Sequence, residues 1–162
     1  TKLEGGDPVI FANKSWSSGK NAGILICLHS TGELRVNIAD GTNRTDFTIS
    51  YPTDILDGWM HLIVVYDVEN NEIRVSFDFG DFLIGKLTPE NYGGSIDGAY
   101  DLAIGEDGTN SYSAYINGYI DEFMIFDGAF VQSDVDNLEK YYKKISQKVG
   151  LPCIYHTDET LF

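Results

Sequence analysis

Glu33-Leu34-Arg35-Val36-Asn37-Ile38 and, beyond Asp40-Gly41-Thr42-Asn43, Asp46-Phe47-Thr48-Ile49-Ser50-Tyr51 alternate polar and apolar residues with a period of two. Successive side chains of an extended chain point to opposite faces. Leu34, Val36 and Ile38 therefore share one face, and Phe47, Ile49 and Tyr51 share one face of the following segment. The pattern predicts two half-buried antiparallel strands joined by a tight polar link.

Short apolar runs separated by Gly, Asn and Asp clusters recur on both sides of this pair. Upstream, Gly23-Ile24-Leu25-Ile26-Cys27-Leu28 places Cys27 as a small buried apolar side chain, with a disulfide to Cys153 as the alternative. Downstream, Trp59-Met60-His61-Leu62-Ile63-Val64-Val65-Tyr66-Asp67 is apolar in both phases. It reads as a central strand covered on both faces, with Trp59 in the core. Ile73, Val75, Phe77 and Phe79 follow in one phase after Glu69-Asn70-Asn71-Glu72, where Asn tolerates the positive φ of a hairpin turn. Further strands are expected at 101–105 and 115–127. Ser133 is placed to cap a short helix with Asp134 and Asp136 in its first turn and Val135, Leu138, Tyr141, Tyr142 and Ile145 on one face. Many short strands with turn signals between them predict an all-β sandwich or barrel.

The chain has 162 residues, 43% of them hydrophobic, with ten Tyr and nine Phe, enough for one domain with a substantial core. Its formal net charge of −14 sets it apart from nucleic-acid binders, which need Lys and Arg to displace phosphate counterions. The same acidity suits an extracellular protein and supplies oxygen ligands for a hard cation. No apolar run approaches the roughly 20 residues needed to span a membrane.

Gly118-Tyr119-Ile120-Asp121-Glu122-Phe123-Met124-Ile125-Phe126-Asp127-Gly128, followed by the capped helix, resembles the C-terminal motif of the laminin G-like, concanavalin A-like lectin/glucanase superfamily. Three stretches agree in order: Asp7 to Trp16, Trp59 with His61 opening a strand that ends at Tyr66-Asp67, and Asp101 to Gly108. The resemblance covers residues 7–143. It implies a jelly-roll β-sandwich of two antiparallel sheets with one short C-terminal helix, often with a structural Ca²⁺, that binds glycans beside other domains of a longer secreted chain. On it, residues 1–148 form the sandwich and 149–162 an extension. Family members carry one or two strands before the segment matching 7–16. Either this is a fragment, or Val149 to Phe162 fills the vacant place and covers a sheet edge.

Asp-Gly-Thr-Asn occurs twice, at Asp40–Asn43 and Asp107–Asn110. Asp, Asn and loop carbonyls are ligands that Ca²⁺ prefers, so Asp40, Asp107 and Asn110 are metal candidates, with ordinary hairpin turns as the alternative; the resemblance implies that the region of Asp121 helps hold the calcium, with a turn cap as the alternative for that residue. A sugar site combines an aromatic platform with groups that pair with adjacent hydroxyls. Trp16, Asn43, Arg44, Asp46, Tyr112 and Tyr115 are the ligand candidates, with Trp16 equally suited to plug a sheet end and Arg44 to pair with Asp46 or Asp40. The glucanases of the superfamily carry alternate carboxylates on one strand, and here Tyr119 and Phe123 flank Asp121 instead. His29, His61 and His156 form no recognisable triad. The expectation is a non-catalytic, calcium-supported glycan-binding module at the cell surface or outside the cell, with an adhesion module of the same fold and a glycan hydrolase as the alternatives.

Overall fold

The computed structural model describes residues 6–29, 31–52, 58–87, 95–109 and 115–149. The fold class is all-β: two antiparallel sheets of five and three strands and one helix, the content of the jelly-roll sandwich expected above. The chain divides into two compact units, Thr1–Asp57 with Leu87–Met124, and Gly58–Lys86 with Ile125–Phe162.

The first unit holds β1 (Val9–Ala12), β2 (Gly23–His29), β3 (Glu33–Ala39), β4 (Arg44–Ser50) and β8 (Ala103–Ile104), in the order β4-β3-β2-β1-β8. Leu34 lies opposite Leu28 and Ile49, Val36 opposite Ile26 and Phe47, and Ile38 opposite Ile24 and Thr45. Directly opposed residues share a face, so the apolar phase read from the sequence becomes one continuous apolar face. Leu34, Val36 and Ile38 are fully buried, each stabilising the fold by roughly 1.5–3 kcal/mol. Cys27 is buried and bonded to no cysteine among the described residues, and burial pushes its thiol pKa up to about 12.

The second unit holds β5 (Leu62–Asp67), β6 (Glu72–Phe77), β7 (Leu83–Lys86) and α1 (Gln132–Val149). The β5–β6 hairpin turns as expected, with Asn71 at φ 55°. Both Asp67 oxygens lock the turn by accepting from the Asn70 backbone N–H and side-chain amide, each at 2.9 Å. These bonds and the adjoining Arg74 hold the Asp67 carboxyl below the usual range.

Four expectations are corrected. β5 is an end strand of its sheet among the described residues, and β6 is the central one; an apolar run in both phases reports burial, not pairing. Trp59 is 48% exposed. The ladder begins only at Leu62, because the His61 N–H is taken by the Asp78 carboxylate at 2.8 Å. Residues 115–127 form no strand: the Asp121 side chain accepts the Glu122 N–H at 2.8 Å, and Glu122 turns to φ 50°, so local bonding displaces a ladder. The helix is longer than expected and starts two residues earlier, at Gln132. Ser133 lies inside its first turn, and Asp134 reaches back to the Val131 N–H at 2.9 Å as the reciprocal half of a cap. Val135 is buried and Tyr142 packs edge-on to His61, while Tyr141 and Ile145 stay exposed. No described helix is long and apolar enough to cross a membrane.

Candidate functional site

The polar phase of β2, β3 and β4 forms the opposite face of the five-stranded sheet. On it, Glu33 sits between His29 and Ser50, Arg35 between Cys27 and Thr48, and Asn37 between Leu25 and Asp46. At the β1–β2 end this face is apolar, and Val9, Ala12, Leu25 and Cys27 cluster there with Trp16. At the β3–β4 end Arg44, Asp46, Thr48 and Ser50 are exposed.

The loop from Asn13 to Ala22 is held by a set of buried and part-buried polar contacts. Asn13 accepts the Ile24 N–H at 2.8 Å and donates to the Ile96 carbonyl at 3.2 Å. Lys14 is fully buried and donates to the Gly19 carbonyl and to Asn37 Oδ1, and the Asn37 amide donates to Asp46 at 2.7 Å. Desolvation lowers the Lys14 pKa from 10.5 to about 8, with Asp46 opposing and Arg44 reinforcing the shift. Above pH 8 the native amine releases its proton while the unfolded chain keeps it to about 10.5. The unfolded state then binds more protons, so stability rises with pH across that window. Relative to Lys14→Met, the wild-type protein should gain about 2 kcal/mol between pH 7.5 and 9.5, measured by urea unfolding; a constant difference between the two would refute the assignment.

Trp16 is 9% exposed, its N–H donating to Asp107 Oδ2 at 2.8 Å and its indole Nε1 to Asp7 Oδ2 at 3.1 Å. The ring therefore faces the core and plugs the sheet. Asp107 is buried, and its other oxygen accepts the Thr109 N–H and hydroxyl at 3.0 and 2.7 Å. Asp7 also lies 3.5 Å from His29 Nε2, whose Nδ1 meets the Thr31 hydroxyl at 2.6 Å.

Among the ligand candidates, Arg44 and Asp46 come together as an ion pair at 3.1 Å on the open end of the polar face. Asn43 is absorbed in the β3–β4 turn, where Asp40 Oδ1 accepts the Thr42 and Asn43 N–H groups at 2.8 and 2.6 Å. The Asn43 and Thr42 N–H bonds hold the Asp40 carboxyl below its usual range. Tyr115 is exposed, and Tyr112 lies outside the described residues. Two residues emerge that the sequence reading named only as polar members of the strand alternation. Arg35 makes no hydrogen bond or ion pair among the described residues, although its Nε is buried, and Thr48 directly across from it has an unengaged hydroxyl. Their signal was present as the shared polar phase of two neighbouring strands.

Among the described residues the metal candidates do not gather into one cluster of carboxylates. No group of three or more His, Cys, Asp or Glu side chains stands together among the described residues, so Asp40, Asp107 and Asp121 do not share a centre. Each of these carboxylates already accepts backbone N–H groups in its own loop. Asn110 and Cys153 lie outside the described residues, as does the extension beyond Val149.

A family model described as the concanavalin A-like lectin/glucanases superfamily matches residues 1–136. No curated protein matches the chain. Among solved structures, the chain is similar to residues 221–444 of an S-layer domain-containing protein from Clostridium thermocellum, with 19% identity and a TM-score of 0.35. That likeness covers 86% of this chain, which spans 66% of the other.

Proposed function

Because the chain belongs to the concanavalin A-like lectin/glucanase superfamily, we propose that it is a non-catalytic glycan-binding module working outside the cell or at its surface, as part of a longer chain. The binding surface in this reading is the β3–β4 half of the polar face. The observation that carries it is Arg35. A buried guanidinium nitrogen without a partner costs about 1–3 kcal/mol or more, and such a cost is commonly retained where a ligand relieves it. The Arg35 fork and the Thr48 hydroxyl face the same side, between the Arg44–Asp46 pair and Ser50. The row presents guanidinium donors beside hydroxyls that both donate and accept, which suits the vicinal hydroxyls of a pyranose. A shallow, wet surface of this kind binds at about millimolar to micromolar Kd.

The test is a glycan array followed by titration of the best ligand, with and without chelator. Arg35→Met should weaken binding by about tenfold or more and leave the melting temperature unchanged or raised, since it removes an unsatisfied donor. Binding that survives deglycosylation of the target, or an Arg35→Met protein that binds normally, would overturn the reading in favour of adhesion through protein contacts. Glycan cleavage abolished by Asp121→Asn would instead make the module an enzyme.

A further inference from the structure

The second unit carries an open groove of about 400 Å³ lined by Glu72, Arg74, Asp81, Phe82, Ile84, Val131 and Gln132. Most of its polar groups are already engaged. Arg74 bonds Glu72, the Phe130 carbonyl and Asp67, and Glu72 also binds Lys86. Those two partners hold the Glu72 carboxyl below its usual range, Lys86 contributing most. Gln132 accepts the Phe82 N–H at 3.0 Å and donates to Asp136. Asp81 differs: it is exposed and makes no hydrogen bond or ion pair among the described residues. The walls around it are apolar, with Ile84 57% and Val131 52% exposed. A sugar needs many polar partners, and this groove has a single free one. A chain of methylenes ending in a cation satisfies both the walls and the carboxylate.

The groove runs beside β7, the end strand of its sheet, which pairs with β6 alone among the described strands. Leu83, Ile84 and Lys86 on it are exposed. An exposed strand edge offers a row of backbone donors and acceptors to an extended segment. The charges of Asp67, Glu72, Arg74 and Lys86 offset one another, so Asp81 is the uncompensated one, in a chain of net charge −14.

We propose that this edge and groove dock an extended peptide segment of a partner protein, with a Lys or Arg side chain lying along Ile84 and Val131 and its cation paired with Asp81. The probe is a fluorescein-labelled Val-Lys-Val-Lys-Val-Lys peptide, with Val-Glu-Val-Glu-Val-Glu and a backbone N-methylated Lys peptide as controls, read by fluorescence anisotropy on the full chain. The Lys peptide should bind, while the Glu and N-methylated peptides bind at least about tenfold more weakly. Asp81→Asn should weaken the Lys peptide about tenfold and raise its tolerance of salt. That substitution lies at an exposed position without partners among the described residues, so its melting temperature serves as the folding control. No binding of the Lys peptide, or equal affinity for Asp81→Asn, overturns the proposal. Arg35→Met should leave peptide binding intact, and Asp81→Asn should leave glycan binding intact, so the two readings fail separately.

Discussion

Asp107→Ala should lower stability by about 2–4 kcal/mol, read as a melting temperature reduced by roughly 5–15 °C for a chain of this size. The carboxylate is buried and joins two distant parts of the chain, with Trp16 N–H on one oxygen and Thr109 on the other. Removing it leaves the Trp16 backbone N–H without its acceptor inside the core and loosens the backbone that carries the indole packed with Val9, Ala12, Leu25 and Cys27. The same variant separates two roles for this residue. As a loop lock, Asp107 is worth the same in calcium and in chelator. A loss confined to calcium-containing buffer would make Asp107 a metal ligand and return the calcium expectation to the Asp107–Asn110 loop.

Gly98→Ala is the second large effect. A Cβ at this position would lie 1.7 Å from the backbone oxygen of Asn13 and 2.7 Å from its carbonyl carbon. Backbone cannot yield as a side-chain tip can, so the segment around Gly98 must move off Asn13 and break the Asn13 to Ile96 hydrogen bond. The expected cost is about 3 kcal/mol or more. Gly32→Ala is the matched control: its φ is +84° with nothing within 4 Å, so it should cost only the left-handed strain of about 1–2 kcal/mol. The two are compared by urea unfolding. Equal losses would show that conformational strain, and not close approach, governs both positions.

Legibility in the sequence followed the range of the interactions. Alternation from Glu33 to Ser50 is a local property of an extended chain, and it placed β3, β4 and their apolar face directly. Asn71 at positive φ was equally local, as was the pairing of Arg44 with Asp46 two residues away on one strand face. The apolar run from Trp59 misled because hydrophobicity reports burial on average, whereas the strand's start depends on Asp78, 17 residues on, capturing the His61 N–H. The Ile120–Phe126 run has strand composition, yet one carboxylate bonded to its neighbour's N–H turned it aside.

The sequence by itself determined the class: period-two patterning sorts side chains onto two faces whatever the rest of the chain does, and it determined the acidic, turn-rich character of the module. Which polar residues stand together was decided by tertiary structure. Strand register sets Thr48 across from Arg35, burial turns Trp16 inward, and the helix start brings Gln132 to the groove where Asp81 is left unpaired. These are contacts between residues up to about ninety positions apart, and their geometry exists only once the sheets have formed.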